Sequence, residues 1–291
     1  MKQLWTAIAL TILITITIVV TANAGLAQLS EPKFELPSLP APELFLPVST
    51  EQAISTACAV QPRSNLSQPP VQQPLPKLPL ERFRQLQAKG GMPKEEIAVA
   101  DGSNYGDRYL RDAKGNPALL PPIVVLHETV GSANSAINLF RNYHANNDDQ
   151  VSYHTLIRQD GTVVYVVPPE KRAFGAGNSV FRSQSGTEAI RLNAELPPSV
   201  NNFAYHISLE TPADGNNNGF QHSGYTTAQY QSLAWLVAKT GVANDRITTH
   251  QRVDRSGQRI DPRSFNQAKF LNLLDSYPKT AEIAIRCTDP T

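Results

Sequence analysis

The chain has 291 residues, 41% of them hydrophobic and 18% charged, which suits one or two globular domains with a sizeable core. With 26 Lys and Arg against 25 Asp and Glu, the net charge is +1. That leaves no basic footprint for nucleic acid, so this class of partner is excluded.

At the start, Lys2 precedes an apolar, Thr-rich run from Leu4 to Val20, and Ala22-Asn23-Ala24 follows as a small-x-small cleavage pattern. The pattern predicts a secretory signal peptide over residues 1–24, cleaved after Ala24, and an exported protein that works in the periplasm or outside the cell. The alternative is an uncleaved anchor, because a run of about seventeen residues sits at the lower limit for spanning a bilayer. In that case the signal segment would be the only membrane contact.

Eleven of the 23 prolines lie between Pro32 and Pro79. Such density removes backbone donors and favours extended geometry, so residues 25–80 are expected to be a Pro-rich arm or linker. The leucines of this segment, with Phe34 and Phe45, also fit an arm packed along the following domain. Export gives the two cysteines a meaning: Cys58 in the arm and Cys287 near the end can form a disulfide, the alternative being two free thiols.

Residues 81–278 carry the periodic pattern of a folded domain, and residues 279–291 form a C-terminal tail. The β-branched run Ile123-Val124-Val125-Leu126 reads as a buried strand. Residues 151–157 and 162–167 read as two strands joined through Gln159-Asp160-Gly161, whose Asp-Gly is a hairpin signal. Residues 204–210 make another strand. Helical spacing covers residues 133–145, 227–240 (ending at Gly241, with Thr226 or Thr227 as cap) and 264–276, with Pro262 in the first turn of the last helix. No internal repeat is visible. Strands and helices mix without a strict βαβ rhythm, so the expected fold is α/β: a single mixed β-sheet covered by helices.

Residues 249–262, THQRVDRSGQRIDP, concentrate the chemistry. His250 and Asp261 are both able to bind a metal such as zinc, and Arg259 puts a permanent cation two residues from Asp261. A catalytic zinc takes three protein ligands and keeps a position open, so this loop is half a site. His127, at the end of the Ile123 strand, is the best third ligand. A packed core histidine and an ordinary surface loop are the competing readings, since no His-Glu-x-x-His motif is present.

Five motifs in order give this chain a family resemblance. They are His127-Glu128-Thr129, Val151-Ser152-Tyr153-His154, Asp160-Gly161-Thr162-Val163, Asn201-Asn202-Phe203, and Thr249-His250 followed by Asp261-Pro262. Together they resemble the zinc-dependent N-acetylmuramoyl-L-alanine amidases, which share a fold with phage lysozyme-type amidases and peptidoglycan recognition proteins. The resemblance covers roughly residues 121–276.

It implies His127, His250 and Asp261 as zinc ligands, and peptidoglycan or muramyl peptides as substrate. Two neutral imidazoles and one carboxylate leave net positive charge on zinc, which acidifies water. It also implies Tyr153 near the metal, as a hydrogen-bond partner of the attacking water or of the tetrahedral intermediate. In one branch of the family a glutamate serves as general base where this chain has Ser208. Glu210, on the same strand face, is the candidate replacement. Arg259 stands where that branch carries lysine, as a cation near the developing oxyanion.

Phe174-Gly175-Ala176-Gly177 replaces a His-x-Gly common in the family, so a substrate-side imidazole is not expected. His154 and His206 are assigned to packing or to supporting contacts, and His144 and His222 to solvent. The leading reading is an exported zinc amidase that hydrolyses the bond between N-acetylmuramic acid and L-alanine. The alternatives are a non-catalytic peptidoglycan-binding module and an exported zinc hydrolase of another peptide bond.

Overall fold

The computed structural model describes residues 92–285; the signal segment, the Pro-rich arm and the Cys58–Cys287 pairing lie outside them. In chain order the strands are β1 (Glu95–Ile97), β2 (Tyr105–Asp107), β3 (Ile123–Glu128), β4 (Thr155–Ile157) and β5 (Val163–Tyr165). They continue as β6 (Lys171–Ala173), β7 (Phe181–Ser183), β8 (Gly186–Glu188), β9 (Ala204–Leu209) and β10 (Ile247–Thr249). The α-helices are α1 (Ala133–Arg141), α2 (Thr227–Thr240), α3 (His250–Val253) and α4 (Gln267–Leu274).

Six strands make one mixed sheet in the order β1-β5-β4-β9-β3-β10. Strands β4, β9, β3 and β10 run parallel, and β5 returns antiparallel to β4 through the Asp160-Gly161 turn. Gly161 holds a φ of 87°, where a Cβ would also stand 3.0 Å from Ala228 O and Ser232 Oγ. The strands β2–β6 and β7–β8 form two small ribbons.

All six residues of β3 and all six of β9 are buried, which explains why these strands read as unbroken apolar runs. Their alternation sorts the two faces. Val124, Leu126, Tyr205, Ile207 and Leu209 pack with Leu233, Leu236 and Val237 of α2 and with Phe270 and Leu274 of α4. On the other face, Leu156 and Val164 meet Ala133, Ile137 and Phe140 of α1. Each leucine that leaves water in this way contributes about 1.5–3 kcal/mol.

The ends of the elements differ from expectation for identifiable reasons. Helix α1 stops at Arg141 because the Asn104 amide donates to the carbonyls of Phe140 and Asn142, both at 2.8 Å. Before β4, Ser152 Oγ donates to Asn104 O at 2.5 Å, and although His154 N already donates to His206 O, the strand itself begins only at Thr155. Helix α2 forms as expected, with a reciprocal Thr226–Gln229 capping box and a left-handed Gly241 at its end.

Helix α4 begins at Gln267, capped by Asn266, after Ser264 adopts a φ of 53°. Pro262 therefore belongs to the turn that carries Asp261 and not to the helix. The tail is anchored over its described part: Thr280 and Ile283 donate to carbonyls of α2, and Ile285 is buried.

Candidate metal centre

Strand register brings the first two candidates together. Thr249 of β10 pairs with Leu126 of β3, so the next residue, His250, comes level with His127. Because His127 alternates with Leu126 and Glu128, its side chain faces away from α2 and α4. Thr249 caps the short helix α3 by accepting from Arg252 N, and His250 is its first residue. The chain then winds around Asp254, whose carboxylate accepts the N–H groups of Ser256, Gln258 and Arg259. It returns so that Gln251 N donates to Asp261 O at 3.0 Å.

His127, His250 and Asp261 each offer a ligand atom, and these atoms lie within 4.8 Å of one another. The carboxylate of Asp261 is 3.0 and 3.2 Å from His250 Nδ1, through Oδ1 and Oδ2 respectively, and Oδ2 is 3.4 Å from His127 Nδ1. His127 is fully buried, and its Nδ1 has no hydrogen-bond partner among the described residues. Buried polar atoms are nearly always satisfied, so an orphaned imidazole nitrogen aimed at a carboxylate and a second imidazole fits a cation there. The N, N, O donor set suits a borderline metal.

Electrostatics keep Asp261 and His127 in their ligating forms. Burial opposes ionisation of Asp261, yet the neighbouring His127 and His250 imidazoles outweigh it and hold the carboxyl below the usual carboxylate range. Burial also drives His127 down to about 4, against the pull of Asp261. His154 and His206 are depressed as well, chiefly by burial.

The sign of the pH dependence follows. As pH falls, the unfolded chain protonates these imidazoles near 6.5 while the folded protein resists, so stability present above about 6.5 is lost between 6.5 and 4. His127 alone accounts for about 3 kcal/mol of that loss. A thermal midpoint of the metal-free protein that is level above pH 7 and drops steeply toward pH 4.5 is expected. A midpoint unchanged over that range would contradict it.

Tyr153 stacks on His127 with ring centroids 4.4 Å apart. Burial of its ring, and then the Asp261 charge, push the phenol upward, so it stays neutral and able to donate. Arg259 is exposed, and its charge is felt at both His127 and Tyr153.

Glu210 is not brought into the cluster. Strand β9 ends at Leu209, and the Glu210 carboxylate turns to accept Ala133 N at 2.7 Å and Gln159 N at 2.9 Å. There it satisfies an orphan donor in the first turn of α1 and offers no free oxygen as a base. Ser208, opposite His127 in the β3–β9 register, is fully buried, and its Oγ has no hydrogen-bond partner among the described residues.

Two histidines expected in solvent are held by the protein. His144 is half-buried and bonded through Nδ1 to Asn104 Oδ1 at 2.8 Å. The side chain of His222 is fully buried, with Nε2 donating to Glu128 Oε2 at 3.0 Å. Glu128 also accepts from Tyr225 Oη at 2.7 Å and from Arg263 Nε. The Arg263 guanidinium further donates to the carbonyls of Gly215, Asn217 and Gly219.

Sequence reasoning missed this clamp. Its available signal was the placement of Glu128 and Arg263, beside His127 and two residues after Asp261. Arg108 was missed too: its buried guanidinium donates to Pro169, Asn202 and Ala204 carbonyls, and burial lowers it to about 9. His206 also lies at the centre, with Nδ1 2.9 Å from His127 Nε2. Asn201 and Asn202 are structural, binding the backbones of Ala176 and Tyr109 respectively.

A family model described as N-acetylmuramoyl-L-alanine amidase matches residues 117–264, just over half the chain and inclusive of all three clustered residues. The 1,6-anhydro-N-acetylmuramyl-L-alanine amidase AmpD of Salmonella typhimurium (strain SL1344) is 34% identical over 130 residues, covering 43% of this chain and 58% of that protein. AmpD of Citrobacter freundii is 30% identical over 129 residues, with the same two shares. The chain thus spans 58% of the length of these curated relatives. The solution structure of Citrobacter freundii AmpD aligns with 64% of this chain and 93% of its own at 24% identity and a TM-score of 0.37.

Proposed function

Because the chain belongs to the N-acetylmuramoyl-L-alanine amidase family, we propose that it is a zinc hydrolase of the amide between N-acetylmuramic acid and L-alanine in peptidoglycan or its fragments. The observation that carries this reading is the convergence of His127, His250 and Asp261 around a buried nitrogen with no hydrogen-bond partner among the described residues. The relatives named for cleaving 1,6-anhydro-N-acetylmuramyl-L-alanine support the same bond. The segment read as a signal, residues 1–24, supports action in the periplasm or outside the cell.

His127 Nδ1, one nitrogen of His250 and the Asp261 carboxylate would hold the ion. Zinc bound there supplies a Lewis acid that polarises a carbonyl and acidifies water. Asp261 stays ionised throughout the neutral range and offsets part of the ion's charge. Tyr153, held flat against His127, offers a neutral O–H to the oxygen on which negative charge develops. Arg259 contributes a permanent cation at the open side of the site.

For Arg259→Ala, zinc binding is expected to persist while kcat falls by roughly 100-fold, as for loss of one oxyanion partner. Unchanged kcat would remove Arg259 from this role.

Incubating purified muramyl peptide with the protein, with and without a chelator, tests the function. A new L-alanine amino terminus that the chelator suppresses is expected, and its absence from the untreated sample would sink the proposal. Binding without cleavage would instead support the non-catalytic module. Equal cleavage of an unglycosylated stem peptide would support a broader peptide hydrolase.

A further inference from the structure

We propose that His206 is a positioning residue for the metal centre: its Nδ1 accepts the Nε2–H of His127, so that His127 Nδ1 stands as a bare lone pair toward Asp261 and His250. The inference rests on the zinc reading above.

The two imidazoles are both fully buried, and His127 Nε2 lies 2.9 Å from His206 Nδ1. One of these nitrogens carries the shared proton. A cation on His127 Nδ1 requires that proton on Nε2, and among the described residues His206 is what Nε2 is bonded to. Ligating histidines usually donate this proton to a carboxylate, a carbonyl or water, which fixes the tautomer and the ring plane. An imidazole accepts there only if its own proton sits on the far nitrogen, so His206 must itself be held in one form.

Its far nitrogen, Nε2, is buried with no hydrogen-bond partner among the described residues. His206 lies on β9 beside the row that leads to Arg108. Its backbone N–H donates to His154 Nδ1 at 2.9 Å, and His154 Nε2 lies 3.0 Å from both Lys171 O and the Arg108 guanidinium.

Gly175 fixes the ring sterically. A Cβ there would stand 2.6 Å from both Cγ and Nδ1 of His206, so the glycine backbone lies against the imidazole. The Phe174-Gly175-Ala176-Gly177 segment thus has a role in the centre without contributing an imidazole of its own.

The test is zinc titration of metal-free protein against a chromophoric chelator, with no substrate present. His206→Leu is expected to lose about 10–100-fold in zinc affinity, the usual cost of removing such a supporting contact. His206→Asn places a carbonyl oxygen where Nδ1 stood and is expected to stay within about threefold of the parent. Gly175→Ala is expected to weaken zinc binding by displacing the ring.

Affinity unchanged in His206→Leu would overturn the proposal. If that variant does not fold, histidine side-chain 15N spectra of the zinc-loaded parent decide. A proton on His127 Nε2 supports it, and a proton on His127 Nδ1 overturns it. A parent that takes up no zinc defeats the metal reading itself, whereas zinc uptake equal in parent and His206→Leu defeats only this inference.

Discussion

Asp261→Ala is expected to abolish zinc binding and amide hydrolysis together while leaving the sheet and its helices folded. The carboxylate is the only anionic member of the cluster, and it reaches both imidazoles, at 3.0 Å from His250 Nδ1 and 3.4 Å from His127 Nδ1. Its loss leaves two neutral nitrogens, one ligand short of a catalytic zinc set and without charge to offset the ion. Zinc affinity should fall by well over about 100-fold, more than removal of a supporting contact costs, and turnover should reach background. The metal-free variant should lose only about 1–3 kcal/mol, because the side chain lies at the end of a loop and not in the apolar core. Chelator competition and a thermal melt on the same sample separate the two effects.

Arg263→Met is expected to act through stability. Its guanidinium is almost wholly buried against Glu128, whose side chain is fully buried, and it holds the carbonyls of Gly215, Asn217 and Gly219. Removing one partner of a buried pair strands the other charge, at a cost of about 3–5 kcal/mol. For a folded unit of this size that lowers the thermal midpoint on the order of 10 °C. Glu128 would keep donors from Tyr225 and His222 but no cation. The double variant Glu128→Gln, Arg263→Met should therefore be more stable than Arg263→Met alone. Equal midpoints for the parent and Arg263→Met would show that the clamp contributes nothing.

Periodicity made the long apolar elements legible. Ile123-Val124-Val125-Leu126 had to be buried on both faces, and Thr226 to Gly241 carried both caps of a helix. Strand β10 was not legible, because three residues, Ile247–Thr249, are too few to establish a period, and its place beside β3 is set by tertiary pairing. That pairing is what aligns His250 with His127, so residue types alone offered the three as candidate ligands, and the family resemblance implied them as a set, before geometry could justify it.

Glu210 marks the limit of strand parity as an argument. Parity held only to Leu209, where β9 stops, and the next carboxylate was drawn to the exposed N–H groups at the start of α1. His222 and Arg263 both sit in polar stretches, and His222 reads as solvated. Burial of a charged side chain depends on a distant partner, here Glu128, which lies 94 and 135 residues away along the chain.

The most direct measurement of the proposed centre is zinc content per chain together with release of the L-alanine amino terminus from muramyl peptide, for the parent and Asp261→Ala, stripped of metal and then restored with zinc. About one zinc per chain in the parent, cleavage only after restoration, and neither in Asp261→Ala is the expected result. Cleavage by the stripped parent, or equal zinc uptake by Asp261→Ala, would contradict it.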